Sequence, residues 1–314
     1  MSSPDNLGPL FECINIAFFI VAGTSFALRV YVRAILINAF GKDDYWMTAA
    51  MAAYIANTTI AILSVKYGSG QHTWLIEPED ITMALKLTYA SEITYGTTMI
   101  LTKISIAAFL LRVTRHKVHR RIIYTAAAAL TCAAGLTLVF IVMFQCKPVS
   151  LFWYRDQPGS CLPVDAIITS TYCYSAFAIL TDFTFTLLPL YLIGKLQMDI
   201  KSKIVLGPIM CLAFMASLAV IIRLPYVSDF KKDDFLHTTT NFAIWSAVEQ
   251  SLAIAAGSLA TFRPLLRRVS NHFKSLRASL WNSADSKTAH SNDSATAQLT
   301  TRRPDEFKLQ TRNP

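Results

Sequence analysis

Five residues are the candidates for charges deep inside long apolar runs: Glu92, Lys103, Asp182, Arg223 and Glu249. A charge at such depth costs about 2.5–3.5 kcal/mol on insertion scales, so each calls for a partner or a watery cavity. At about 1.5 Å per helical residue, Lys103 lies roughly 12 Å and Asp182 roughly 15 Å from the same end of their runs. Their matching depth predicts an ion pair. Arg223 and Glu249 lie roughly 5 Å and 9 Å from the opposite end and form a second expected pair. Glu92 precedes Lys103 by three helical turns, which puts both on nearly one face. Tyr95, Tyr172, Tyr174 and Trp245 are candidates to line the same interior, with Tyr95, Tyr172 and Trp245 as possible ligand contacts. The set reads either as an internal polar pocket with a switchable salt-bridge network, or as pairs that only fix helix register. Both readings stay open, because buried ion pairs are weak evidence for stability.

The elements that must hold these residues are seven apolar runs of membrane-spanning length: Leu10–Val32, Tyr45–Val65, Ile81–Leu111, Ile122–Phe144, Val164–Leu192, Ile204–Tyr226 and Ala243–Phe262. About 20 apolar residues wound as a helix cross a bilayer core. Backbone groups in lipid must pair internally, so repeated runs of this kind mean a helix bundle. With 53% apolar and 16% charged side chains and a mean hydropathy of +0.40, the chain is too apolar for a soluble domain. The fold class expected is an all-α membrane protein, a seven-transmembrane-helix bundle in contact with the lipid bilayer.

Basic residues set its direction. Fifteen Lys and Arg follow runs one, three, five and seven, from Arg33 and Lys42 to Arg277, against five on the other side: Lys66, Lys147, Arg155, Lys231 and Lys232. Basic loops favour the cytoplasm, which places the N-terminus outside and the tail inside. The first run is expected to direct insertion, since the nine residues before it carry no basic charge. The net charge of +9 is thus orientation rather than a nucleic-acid footprint, and no basic stripe carries base-stacking aromatics. Asp43 and Asp44 precede run two, where carboxylates suit a helix N-terminus. Pro189 and Pro225 are expected to bend or loosen runs five and six.

Val269, Phe273, Leu276 and Leu280 share one helical face among basic residues. They predict a short amphipathic helix on the inner leaflet, with a solvated basic linker as the alternative. Residues 1–281 then form the membrane domain, and 282–314, rich in Ser, Thr, Asn and Asp, a disordered cytoplasmic tail.

Cys146 and Cys161 bracket an outer loop, where thiols are oxidised, so they are expected to form a disulfide that holds the loop over the bundle mouth. His72 and His237 are outer residues that, as two lone histidines, do not make a metal site. Neither HExxH, GxSxG nor a Walker loop occurs, and an enzyme is not expected. The sequon at Asn57 falls inside run two, away from glycosylation.

Taken in order, several motifs resemble the fungal rhodopsin-like seven-helix membrane proteins, which include membrane proteins of satratoxin-type gene clusters and receptor-like proteins. They are Phe40-Gly41-Lys42-Asp43-Asp44, Gly68-Ser69-Gly70-Gln71-His72, Lys103-Ile104-Ser105-Ile106 with Arg112, Cys146-Lys147-Pro148 and Gly159-Ser160-Cys161. Asp182 with Pro189, Lys203, Arg223, Trp245-Ser246-Ala247-Val248-Glu249 and Arg263-Pro264 complete the series. The resemblance implies a receptor-like sensor of a small molecule at the plasma membrane, with a cytoplasmic signalling protein as partner. The alternative it leaves is a transporter or accessory membrane protein of secondary metabolism. No cofactor is expected: retinal needs a Lys in the seventh helix for its Schiff base, and run seven has none.

Overall fold

The computed structural model describes residues 6–114, 117–125, 131–154, 156–194, 200–232 and 234–261. These are almost wholly helical: α1 (Gly8–Val30), α2 (Lys42–Lys66), α3 (Pro78–Val113), α4 (Lys117–Tyr124), α5 (Ala133–Met143), α6 (Val164–Gly194), α7 (Ile200–Val227) and α8 (Phe235–Ala260). A π-helical stretch, Tyr31–Leu36, extends α1. Six helices among the described residues are long and apolar enough to cross a membrane. The run Ile122–Phe144 departs from expectation. It is described as α4 and α5 on either side of residues 126–130, and the 11 residues of α5 reach only about 16 Å. The expected helix after run seven and the tail, residues 263–314, lie outside the described residues.

Helix α8 begins eight residues before the run drawn from apolarity, because its polar first turns satisfy themselves. The hydroxyls of Thr238, Thr239 and Thr240 donate to the carbonyls of Asp234, Phe235 and Leu236, one turn back. The helical segments continue through Pro189 and Pro225.

The bundle closes around α8. Its small residues Ala255, Ala256 and Gly257 let neighbours approach closely. At Gly257 a β-carbon would lie 2.8 Å from Met47 Cε and 3.0 Å from Ile106 Cγ1. Ile254 of α8 joins Ala22 of α1 and Met47, Ala50, Met51 and Tyr54 of α2 in one buried cluster. Large apolar side chains elsewhere, among them Ile20, Phe140, Leu180 and Phe214, are exposed, as a lipid-facing belt requires.

A two-stranded antiparallel ribbon, β1 (Cys146–Lys147) and β2 (Ser160–Cys161), stands between α5 and α6 and pairs Cys146 with Cys161. The turn after α2 carries Gly68 and Gly70 at φ +97° and +93°, the left-handed region that glycine tolerates. Gly70 accepts from Leu7 N–H at the start of α1 and donates to the Leu236 carbonyl of α8. The turn thus ties three helices at one end.

Candidate ligand cavity and its charged core

Arg223 of α7 and Glu249 of α8 meet at 2.8 Å, with both side chains fully buried. Tyr95 of α3 stands between them: its hydroxyl donates to Glu249 Oε2 at 2.8 Å and accepts from Arg223 Nη1. The guanidinium also lies 5.3 Å from the ring centroids of Tyr95 and Phe242, within cation–π range. One helix supplies the cation, a second the carboxylate and a third the bridging phenol, so the three are locked in register. Among the described residues, Glu249 Oε1 has no hydrogen-bonding partner.

The second pair forms deeper. Lys103 Nζ of α3 is 3.0 Å from Asp182 Oδ1 of α6 and donates to Thr181 Oγ1 and the Ala178 carbonyl at 2.9 and 3.1 Å. These extra acceptors complete the ammonium's three donors, which a buried lysine needs. Asp182 also faces a cavity of ≈ 80 Å³ between α3, α6, α7 and α8.

Glu92 takes a different position. It lines an inner cavity of ≈ 70 Å³ together with Asn57, Tyr95 and Ser246. It also lines an outer cavity of ≈ 770 Å³ beneath the Cys146–Cys161 loop. Phe230 lines both. Glu92 and Phe230 therefore stand where an outer vestibule and a smaller chamber adjoin. The vestibule has the size of a small-molecule pocket, about 300–1,000 Å³. The chamber has room for only a few waters. Asn57, read in sequence only as a sequon, binds Gln250 of α8 and receives the hydroxyls of Ser91 and Thr94 of α3.

Two expected lining residues are corrected. Tyr172 is 38% exposed, donates to the Leu224 carbonyl, and lines neither cavity. Tyr172 and Tyr174 are two residues apart, about 200° around a helix, so only one can face inward, and Tyr174 is the buried one. Trp245 is half-buried and does not line these cavities, where α8 presents Phe242 and Ser246 instead.

Cys146 and Cys161 are joined by a disulfide. The loop they close carries Phe152 and Trp153, whose rings pack on Tyr89 of α3 at 5.8 and 5.6 Å.

At the opposite end lies an ion network that the sequence reading missed. Arg29 binds Asp44 at 2.8 Å and Asp43 at 3.1 Å, Arg33 binds Asp43 at 2.9 Å, and Arg112 reaches Asp43 at 3.1 Å. Arg29 also donates to the Gly257 carbonyl of α8 at 2.8 Å, and Ser105 donates to the Asp43 carbonyl at 2.6 Å. Asp43 and Asp44 do more than complement the start of α2. Asp44 Oδ2 accepts from Gly41 N–H as a cap, while its other oxygen holds Arg29. The signal available in sequence was Arg29 and Arg33, one turn apart, facing two adjacent aspartates.

His72 and His237 are not lone residues. Their rings stack at 4.1 Å, and His72 Nδ1 is 2.5 Å from Asp234 Oδ2, just ahead of α8. Thr73 donates its N–H and hydroxyl to Asp234 Oδ1 at 3.0 and 2.7 Å. Partial burial pushes the Asp234 carboxyl up, but hydrogen bonds from Thr73 and His72 outweigh it and hold the group below its ordinary range.

Six apolar helices with paired charges between them define the class: a multi-pass helical membrane protein. Residues 28–268 match the fungal rhodopsin domain, and the chain belongs to that family. It is similar to the polyenoic acids biosynthesis gene cluster protein Ba17b of Metarhizium anisopliae, 25% identical over 296 residues, which cover 86% of this chain and 78% of the relative. It is also similar to a SAT4 family membrane protein of Emericella nidulans, 30% identical over 168 residues, covering 52% of this chain and 43% of that protein. No solved structure matches the chain.

Proposed function

We propose that the chain is a seven-span, receptor-like sensor of a small molecule, with its N-terminus outside the plasma membrane and its basic loops facing a cytoplasmic signalling protein. The span that brings the six long apolar helices to seven is the fourth run, Ile122–Phe144, of which the end of α4 and α5 are described parts. The observation that supports sensing is the pair of adjoining cavities, which share Glu92 and Phe230 in their linings, with the Arg223–Tyr95–Glu249 cluster beside the inner one. A ligand settling against Glu92 gains a carboxylate partner and stands next to a cluster spanning α3, α7 and α8. Displacing Tyr95 is then the route by which occupancy reaches the other end. The role proposed is non-enzymatic and without retinal, since α8 contains no lysine to form a Schiff base.

The test is ligand-dependent nucleotide exchange on a G protein, screened across a small-molecule library in membranes containing this chain. The expected result is exchange that Glu92→Gln reduces at least tenfold in ligand potency. Absence of exchange for every compound counts against the reading. A second reading, accessory or transport function in secondary metabolism, is favoured by the gene-cluster name of the Metarhizium relative. It expects altered metabolite yield or export on deletion, with no signalling partner required.

A further inference from the structure

The histidine pair and its aspartate belong to neither cavity's lining and are not used by the function proposed above. His72, Asp234 and His237 each offer one donor atom, and these atoms lie within 4.8 Å of one another. Two imidazoles and a carboxylate are the donor set of a borderline transition ion, not of Mg²⁺ or Ca²⁺, which prefer oxygen. From these donors, we infer that His72, Asp234 and His237 form a binding site for a zinc-class divalent metal ion at the disulfide-bearing end of the bundle.

The surroundings hold His72 and Asp234 in place. Gly68 and Gly70, in a conformation that side chains resist, turn the chain sharply after α2 and deliver His72 toward α8. Trp74 stacks on His72 at 4.3 Å and 12°, which favours His72 staying in place while the His237 ring turns toward the ion. Thr73 anchors Asp234 through Oδ1, leaving Oδ2 turned toward His72. Metal–donor distances near 2.1 Å put tetrahedral donor atoms about 3.4 Å apart, so no pair closes by more than about 1.4 Å. An imidazole binds a metal in its own ring plane, so one of the two stacked histidine rings must also turn out of the stack to reach the ion. Three protein donors leave the fourth position of a tetrahedral ion to water.

A bound ion ties the turn after α2 to the start of α8. Phe235, the residue after Asp234, lines the outer cavity, so the clamp fixes one wall of the vestibule.

The experiment uses the untagged full chain in detergent micelles, because a polyhistidine tag would itself bind the probe. Saturating Zn²⁺ is expected to raise the thermal midpoint by about 5 °C over an EDTA-treated sample, with Mg²⁺ giving no rise. Co²⁺ is expected to bind one per chain with a visible d–d band. In His72→Ala and His237→Gln, affinity for both ions falls at least tenfold. If either variant fails to fold, the Co²⁺ band and stoichiometry of the intact chain decide, with Asp234→Asn as the second variant. No Co²⁺ band, an equal rise with Mg²⁺, or unchanged binding in the variants overturns the site.

Discussion

The two ends of the bundle use the same chemistry, aspartate beside a cation, under opposite conditions. At the end opposite the disulfide, Asp43 and Asp44 are 3% and 2% exposed and are shared among three arginines. At the disulfide-bearing end Asp165 meets Lys231 at 2.5 Å, yet the two side chains are 73% and 57% exposed beside a ≈ 770 Å³ cavity. Water screens the second contact and is excluded from Asp43, Asp44 and Arg29 in the first, although Arg112 reaches that network from a half-exposed position. One end is held by a largely buried charge network; the other, tied by the glycine turn and the disulfide, keeps its Asp165–Lys231 pair in water beside an open cavity. The sensor role proposed above calls for such an asymmetry, with a ligand entering at the hydrated end and acting on a buried network.

The comparison predicts a graded series. Asp43→Ala removes the carboxylate shared by Arg29, Arg33 and Arg112, leaving the buried Arg29 and Arg33 to Asp44 alone, and is expected to cost about 3–5 kcal/mol, read as a lowered unfolding midpoint in detergent. A loss below about 1 kcal/mol would show that water reaches the network. In the middle of the bundle, Lys103→Ala and Asp182→Ala should each destabilise, with the double variant no worse than either. The expected coupling is about 0.5–3 kcal/mol, and additive effects would reject the pair.

Asp234 gives a pH test at the open end. Its folded carboxyl titrates below the ordinary 3.8, so its stabilisation is fully present above that value. As pH falls through the folded pKa, that stabilisation is lost. Asp234→Asn should flatten this acid limb of the thermal stability profile, and an unchanged limb would remove Asp234 as its source. The smallest effect is expected for Lys231→Ala, below about 1 kcal/mol and shrinking further in high salt. A larger, salt-insensitive loss would contradict the open, hydrated end.

How much was legible follows from the range over which each signal acts. Lys103–Asp182 and Arg223–Glu249 were readable because depth in a span is a one-dimensional property, counted along the helix from its end. Cys146 and Cys161 were readable because both sit in one loop. The Arg29–Asp43–Asp44 network was missed because Arg33 and Arg112 read as orientation residues, the aspartates read only as complementing the start of α2, and Arg29, near the end of run one, was not singled out. Tyr172 was misplaced because depth alone does not give rotation about the helix axis.

By itself, the sequence determined the membrane class, the long apolar helices and the depths of the buried charges, since those depend on apolar length and residue counting. Only the tertiary structure decided which faces turn inward and what meets across 160 residues, as His72, Asp234 and His237 do. Helix rotation and loop docking are set by packing among many side chains at once, such as the close approach at Gly257, and no local pattern carries that information.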